Sequence, residues 1–222
     1  MAEENMRKNV IIVAVASVLI LGMSASAYDA VGSSFGNLTT AGVLGQGKGT
    51  FGFGVGMADR TSFVGTFAYG LSKYSDGRLK LGFADPDNGD AKLTFGADYK
   101  WQFWNYGAGK NNPFDCALGM LLEYADFDAL SVLQFGGQVI GSYPIKLSRG
   151  GTLAPYARFN ARVEWLSFDV PVNYHGDNSE SNLEVGLNGG VQWQMTPNVA
   201  SYMEFQIDGN DGIFLGIDLG VM

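Results

Sequence analysis

The sequence predicts an all-β, antiparallel up-and-down transmembrane β-barrel of about ten strands, with eight or twelve also open. Three observations predict this fold. Apolar and polar residues alternate in many segments, turn-forming residues separate those segments, and the composition combines 32 glycines and 13% aromatic residues with only six prolines. A period of two gives a strand one apolar face and one polar face.

The clearest alternation runs from Ala91 to Phe103, where every odd residue is apolar and every even residue is polar or glycine. Strands in soluble domains are commonly about 5–6 residues long. A tilted strand that crosses a bilayer needs about 9–11 residues, which this segment exceeds. The apolar face is therefore expected to meet either a protein core or lipid.

Ten segments carry the alternation. They are residues 51–57, 62–71, 78–83, 91–103, 118–124, 133–143, 153–165, 182–195, 202–207 and 213–221. Short connections rich in Asp, Asn, Gly and Pro, such as 75–77, 85–90, 196–198 and 208–212, have the chemistry of turns. Consecutive strands joined by turns form a meander, and an even number of strands can close it without an exposed edge.

The N-terminal residues have the features of a secretory signal peptide. Arg7 and Lys8 precede an uncharged run from Val10 to Met23, and Ala25-Ser26-Ala27 forms a small-residue cleavage site. The run is short for a membrane-spanning helix of about 20 residues, although an uncleaved anchor is the alternative. We therefore predict a signal peptide at 1–27.

Residues 28–47 are glycine-rich and do not alternate clearly. We interpret them as a periplasmic lead-in to a barrel that spans residues 48–222. Two alternatives stay open for this segment: it could contain a further strand, or it could fold inward as a plug.

The apolar faces end in aromatic residues at consistent levels if both termini face the periplasm. Rings at one level are typical of the aromatic girdle at a membrane interface. A general abundance of aromatic residues is the alternative explanation. The predicted interface residues are Tyr69, Trp101, Phe103, Tyr143, Trp165 and Trp193.

The polar faces carry balanced charge although the chain has a net charge of −8. The predicted charge network of the lumen consists of Arg78, Lys80, Lys92, Asp98, Lys100, Glu123, Arg158, Arg162, Glu164, Glu184, Glu204 and Asp218. Unpaired charge in a narrow lumen is costly, so pairing is expected. Barrels of about eight strands are filled by their own side chains. We therefore expect a mostly plugged lumen, with the excess acid in the turns at 85–90 and 208–212.

The sequence gives little indication of nucleic-acid binding, metal binding or catalysis. The acidic balance argues against a nucleic-acid partner, a single cysteine, Cys116, excludes an internal disulfide, and no cluster has zinc-ligand spacing. His175 shares the polar loop 170–181 with Asp177 and serines, a set that could support acyl transfer. These residues crowd one loop instead of converging from several strand ends, so we predict no catalytic site, cofactor or metal.

The signal peptide, the alternating strands and the final strand from Gly216 to Met222 resemble those of small outer-membrane β-barrel proteins of Gram-negative bacteria. This class includes OmpA-like, OmpX-like and porin-like barrels. The resemblance implies location in the cell outer membrane, contact with outer-membrane lipid, and recognition of the last strand by the barrel-assembly machinery. The usual terminal phenylalanine of that signal is absent here.

An architecture does not specify a function. The favoured expectation is a structural or interaction barrel with a plugged, charge-balanced lumen. A narrow porin or transporter of small solutes and a lipid-modifying or proteolytic enzyme are the alternatives, and a soluble secreted β-protein is the fallback for the whole interpretation.

Overall fold

The structure is a computed structural model that describes residues 31–86, 91–106, 112–127, 130–148, 150–168 and 179–221. The described residues form eleven strands, ten of them long. They are β1 (Gly49–Ala58), β2 (Arg60–Ser72), β3 (Ser75–Pro86), β4 (Lys92–Trp104), β5 (Asp115–Phe127), β6 (Leu130–Ser142), β7 (Ile145–Lys146), β8 (Thr152–Phe168), β9 (Ser179–Thr196), β10 (Val199–Ile207) and β11 (Gly212–Val221).

The ten long strands close into a ring. Each pairs antiparallel with the next, β6 pairs directly with β8, and β1 pairs with both β2 and β11. The two-residue β7 pairs only with the first two residues of β8. This arrangement confirms the predicted up-and-down antiparallel barrel and its ten strands. We call the end where β1 begins and β11 ends the near end, and the end with the β10–β11 turn the far end.

The side chains are distributed in the opposite way to those of a soluble domain. Phe53 is 60% exposed and Leu79 is 63% exposed on the outside, whereas Arg162 is 1% exposed and Glu204 is completely buried in the interior. From Lys92 to Phe103 in β4 the odd residues point outward and the even residues inward, as the alternation predicted. The described residues include no helix that is long and apolar enough to cross a membrane.

Most strands extend a few residues beyond the alternating segments, and in two places this changes a predicted loop or turn. Ser179 pairs with Ser167, so residues 179–181 belong to β9 and not to the predicted loop. Asp76 pairs with Lys100 inside β3, although its neighbours have turn chemistry. The predicted signal peptide at 1–27, His175 and Asp177 lie outside the described residues.

The predicted interface aromatics lie on the outer surface or at its edge. The exposed rings are Tyr69, Trp101, Phe103, Trp165 and Trp193. Tyr143 follows β6 and is half-buried, with its ring 5.1 Å from that of Tyr106. Trp165 belongs to the far half of the barrel and the others to the near half, while their placement at a membrane interface stays a prediction.

The largest difference between the structure and the sequence-based expectation concerns the segment before β1. Residues 31–38 are buried, and their backbone contacts side chains of β5, β8 and β10 inside the barrel. Residues 31–44 therefore occupy the lumen, which agrees with the inward-plug alternative and not with the lead-in interpretation. The physical reason is that lumen carboxylates and amides supply partners for a backbone that does not alternate and could not join the sheet. The following turn at 45–48 connects this segment to β1.

Candidate functional site

The candidate site is the lumen together with residues 31–44, which we call the plug. The plug begins at the far end, where Val31 contacts Glu164 and Ser33 contacts Asp208. It ends at the near end, where the Leu44 amide donates to Asp76. The chain therefore passes through the lumen from the far end to the near end before it reverses into β1.

Three buried glutamates accept hydrogen bonds from the plug. Glu164 accepts from the amides of Val31 and Gly32, at 2.9 and 3.1 Å. Further along the plug, Glu204 accepts from the amides of Asn37 and Leu38, at 2.6 and 2.9 Å. Hydrogen bonds to an ionised carboxylate are stronger than neutral ones, so each glutamate fixes a short stretch of plug backbone.

Glu123 completes the set between these two positions. Its carboxylate accepts from the Ser33 hydroxyl at 2.9 Å and from the Ser34 amide at 3.3 Å, and it pairs with Lys80 at 2.8 Å. The same lysine donates to the Gly36 carbonyl at 3.5 Å. One ion pair of the wall thus contacts both a donor and an acceptor of the plug.

Basic and amide side chains satisfy the plug carbonyls. Lys100 donates to the carbonyls of Thr40 and Gly42, at 2.8 and 2.6 Å, and Arg78 donates to Leu38 at 3.3 Å. Gln134 donates to the Gly32 carbonyl at 2.7 Å. A buried peptide group without a partner costs about 1–3 kcal/mol, so these donors make burial of an irregular backbone tolerable.

An arginine cluster forms the far half of the network. Arg162 pairs with Glu164 at 2.9 Å and with Asp208 at 3.5 Å, and Arg158 lies 4.0 Å from Asp208. Burial raises the pKa of the Asp208 carboxyl to about 6, against the opposing effect of the positive charges on Arg162 and Arg158. Asp208 follows the end of β10, in the turn to β11.

Ion pairs also line the near half. Asp98 pairs with Arg78 and, at 3.3 Å, with Lys80. Lys100 lies 3.7 Å from Asp76. Because both partners of each pair are inside the barrel, these contacts position the donors that bind the plug.

Nine members of the predicted charge network contact the plug or form ion pairs within the wall, and the other three are only half-buried. Asp218 is half-buried and accepts a hydrogen bond from the Tyr202 hydroxyl at 2.9 Å. Glu184 is half-buried opposite Arg162 in the β8–β9 ladder. Lys92 is half-buried at the start of β4 and has a partner of its own.

Two important acids were missed by the sequence pattern. Asp76 and Asp208 were assigned to turns, but both are buried and pair with lumen bases. The alternation could have identified Asp208 as a lumen residue, because it continues the series of even-numbered inward residues Glu204 and Gln206 of β10. Of the two acids in the turn at 208–212, Asp208 is therefore in the lumen, whereas Asp211 is exposed, as predicted for this turn.

A polar cavity of about 200 Å³ remains beside the plug in the near half. Thr39, Thr40 and Leu44 line it on the plug side, and Asp98 and Lys100 on the wall side. One carboxylate oxygen of Asp98 is buried without a protein hydrogen-bond partner. A cavity of this size and polarity can hold water.

Catalytic chemistry has little support within the described residues. No group of three or more His, Cys, Asp or Glu there is placed to hold a metal ion. Cys116 is a buried free cysteine. What the arrangement can do is hold an irregular peptide segment and obstruct the lumen.

Comparisons with known proteins give no family or function. No family model matches the chain, and no curated protein does. Solved structures to which it is similar include the N-terminal β-barrel domain of Pseudomonas aeruginosa OprF, at 11% identity and a TM-score of 0.36, covering 80% of this chain and 100% of that one.

Two further solved structures are similar to the chain. One, from the de novo design of transmembrane β-barrels, has 20% identity and a TM-score of 0.34, with 79% of this chain and 97% of that chain covered. The other, KdgM porin, has 9% identity and a TM-score of 0.38, with 78% and 99% covered. The barrel fold of this chain is established by its own strand pairing.

Proposed function

We propose that the chain is an outer-membrane β-barrel protein with a structural or interaction role, whose lumen is closed by its own residues 31–44. The observation that carries this proposal is the hydrogen bonding of the plug along its path, from Glu164 at the far end to Asp76 at the near end. A segment held at both ends and in the middle obstructs diffusion of solutes.

The exposed apolar surface supports placement in a membrane. Large apolar side chains such as Phe53, Leu79 and Leu81 cover the outside of the strands. Exposed apolar surface costs about 25 cal/mol per Å² in water, and lipid removes this cost. A closed barrel also satisfies its backbone groups, as a membrane-spanning structure must. Export by the signal peptide and assembly through β11 belong to the same proposal.

Conductance in planar bilayers tests the closed lumen. We expect the wild-type protein to show no reproducible open channel. The double variant Glu123→Ala/Glu204→Ala should show open events, because it removes two carboxylates that bind plug amides. Heat-modifiable gel mobility checks that each sample is folded.

The matched control is Glu184→Ala, which removes a half-buried carboxylate on β9 opposite Arg162. It should stay as closed as the wild type. A stable, ohmic open channel in the wild-type protein would contradict the proposal and favour the narrow-porin alternative. The polar cavity beside the plug is the observation that favours that alternative, because it already leaves part of the near half unfilled.

A further inference from the structure

We propose that the inner wall of the barrel is a sequence-selective binding channel for an irregular, glycine-containing peptide segment, and that residues 31–44 are its ligand in cis. This inference deepens the proposed function and rests on it. Its distinctive claim is that the wall recognises a particular peptide and does not merely enclose whatever chain occupies the space.

Recognition of the main chain is the first support. Wall side chains accept from amides and donate to carbonyls along most of the plug. The amides are those of Val31, Gly32, Ser33, Ser34, Asn37, Leu38, Ala41 and Leu44. The carbonyls are those of Gly32, Ser33, Gly36, Leu38, Thr40 and Gly42. As in other modes of peptide recognition, hydrogen bonds to the main chain give affinity, and pockets for side chains give specificity.

Two glycines four positions apart supply the first element of specificity. A Cβ on Gly36 would lie 2.9 Å from the Phe214 ring and 3.1 Å from a Glu204 carboxylate oxygen, and the backbone there has a φ of +65°. A Cβ on Gly32 would lie 2.4 Å from the Asn210 amide nitrogen, with a φ of +72°. Both positions therefore require glycine for space and for backbone conformation.

Apolar plug side chains supply the second element. Phe35 is 1% exposed and Leu38 is 8% exposed inside an otherwise polar lumen. Leu38 fits against two wall glycines, since a Cβ on Gly216 would lie 3.0 Å from a Leu38 methyl carbon and a Cβ on Gly54 would lie 2.8 Å from it. The wall thus has room for Leu38 where a larger wall residue would leave none.

Polar plug side chains add a third element. The Ser33 hydroxyl donates to Glu123 at 2.9 Å, and the Asn37 side-chain oxygen accepts from Arg158 at 3.3 Å. Lys100 donates to the Thr39 hydroxyl at 3.0 Å. These contacts define a ligand with small polar residues between the two glycines and beyond them.

Peptide competition during refolding tests the inference on the full chain. A protease site inserted after the exposed Gln46 separates the plug covalently from an otherwise complete protein. The cut protein is unfolded in urea and refolded into micelles with an excess of two differently labelled synthetic peptides. Label that comigrates with the folded barrel on heat-modifiable gels measures incorporation.

Each sample contains the native peptide, residues 31–46, and one of three competitors. The competitors are the same peptide with Gly36→Ala, the same peptide with Gly42→Ala, and a scrambled version. We expect the native peptide to exceed the Gly36→Ala peptide by about tenfold or more, which corresponds to about 1.4 kcal/mol. The Gly42→Ala peptide should match the native one within about threefold, under 1 kcal/mol, because its Cβ would lie at an ordinary 3.5 Å from Thr40.

Equal incorporation of the scrambled and native peptides would overturn the inference, and so would folding of the cut barrel with no peptide incorporated. The two proposals fail separately. A wild-type protein that conducts would refute the closed lumen, whatever the peptides do. Loss of peptide discrimination in a barrel that stays closed would refute the binding channel alone.

Discussion

Single buried residues determine how the lumen is filled. Glu204 is completely buried and accepts from the plug amides of Asn37 and Leu38, from the Tyr156 hydroxyl at 2.6 Å and from the Asn188 amide at 2.7 Å. A buried carboxylate is tolerated only when its oxygens are well satisfied. Four donors from wall and plug meet that condition, so Glu204 joins the two parts of the molecule.

Asp208 gives the protein a testable pH dependence. Its folded-state pKa of about 6 lies above the ordinary value of about 3.9. The folded protein therefore binds the proton more tightly than the unfolded chain between these values. The free energy of unfolding should fall as pH rises from about 4 to about 6, by an amount of the order of 2 kcal/mol, and this contribution should be constant above that range.

The measurement is urea unfolding in detergent at several pH values for the wild type and Asp208→Asn. The side chain faces Arg158 and Arg162 and accepts from the amides of Ser33 and Asn210. The difference in free energy between the two proteins should change across this pH range, which separates Asp208 from other titrating groups. A constant difference between pH 4 and pH 7 would show that Asp208 titrates normally.

The sequence of each strand predicts which of its side chains face outward and which face the lumen. In β3 the outward Leu79, Leu81 and Phe83 are each more than half exposed, while the inward Lys80 is buried. The alternation predicted this arrangement because side chains in a strand point to opposite faces. It could not predict the plug, which lacks a period and is ordered by partners distant in sequence, such as Glu164 for Val31.

An arginine in the middle of an outward face tests the orientation of a strand. Leu81→Arg places a charge on the outside of β3, where Leu81 is 58% exposed. A cost of about 2–4 kcal/mol is expected at the midplane of a bilayer, and about 0–1 near an interface. We therefore expect folding into lipid vesicles to be weakened by Leu81→Arg.

The control is Tyr74→Arg, at an exposed position in the β2–β3 turn. It should fold into vesicles almost as well as the wild type. Urea titrations of vesicle-bound protein, read by tryptophan fluorescence, compare the three proteins. Equal stabilities for Leu81→Arg and the wild type would count against lipid contact at that face.

The molecule as a whole combines a wall that alternation predicted with a plug that the sequence offered only as one alternative for residues 28–47. Alternation predicted ten strands, closure and an inward charge set, and the ring of β1 through β11 confirms the architecture. Closure brings β11 beside β1 and creates an interior in which charges from all sides meet. Asp76 and Asp208 join that interior because of where their strands begin and end, which local turn chemistry does not reveal.

The central claim is that residues 31–44 lie in the lumen, bound by their backbone amides to buried carboxylates. Hydrogen–deuterium exchange of the protein folded in micelles tests this most directly. We predict that the amides of residues 31–44 are protected about as strongly as those of the barrel strands, while the turn at 45–48 exchanges faster. Complete exchange of residues 31–44 within seconds, in a protein whose strands stay protected, would contradict the account.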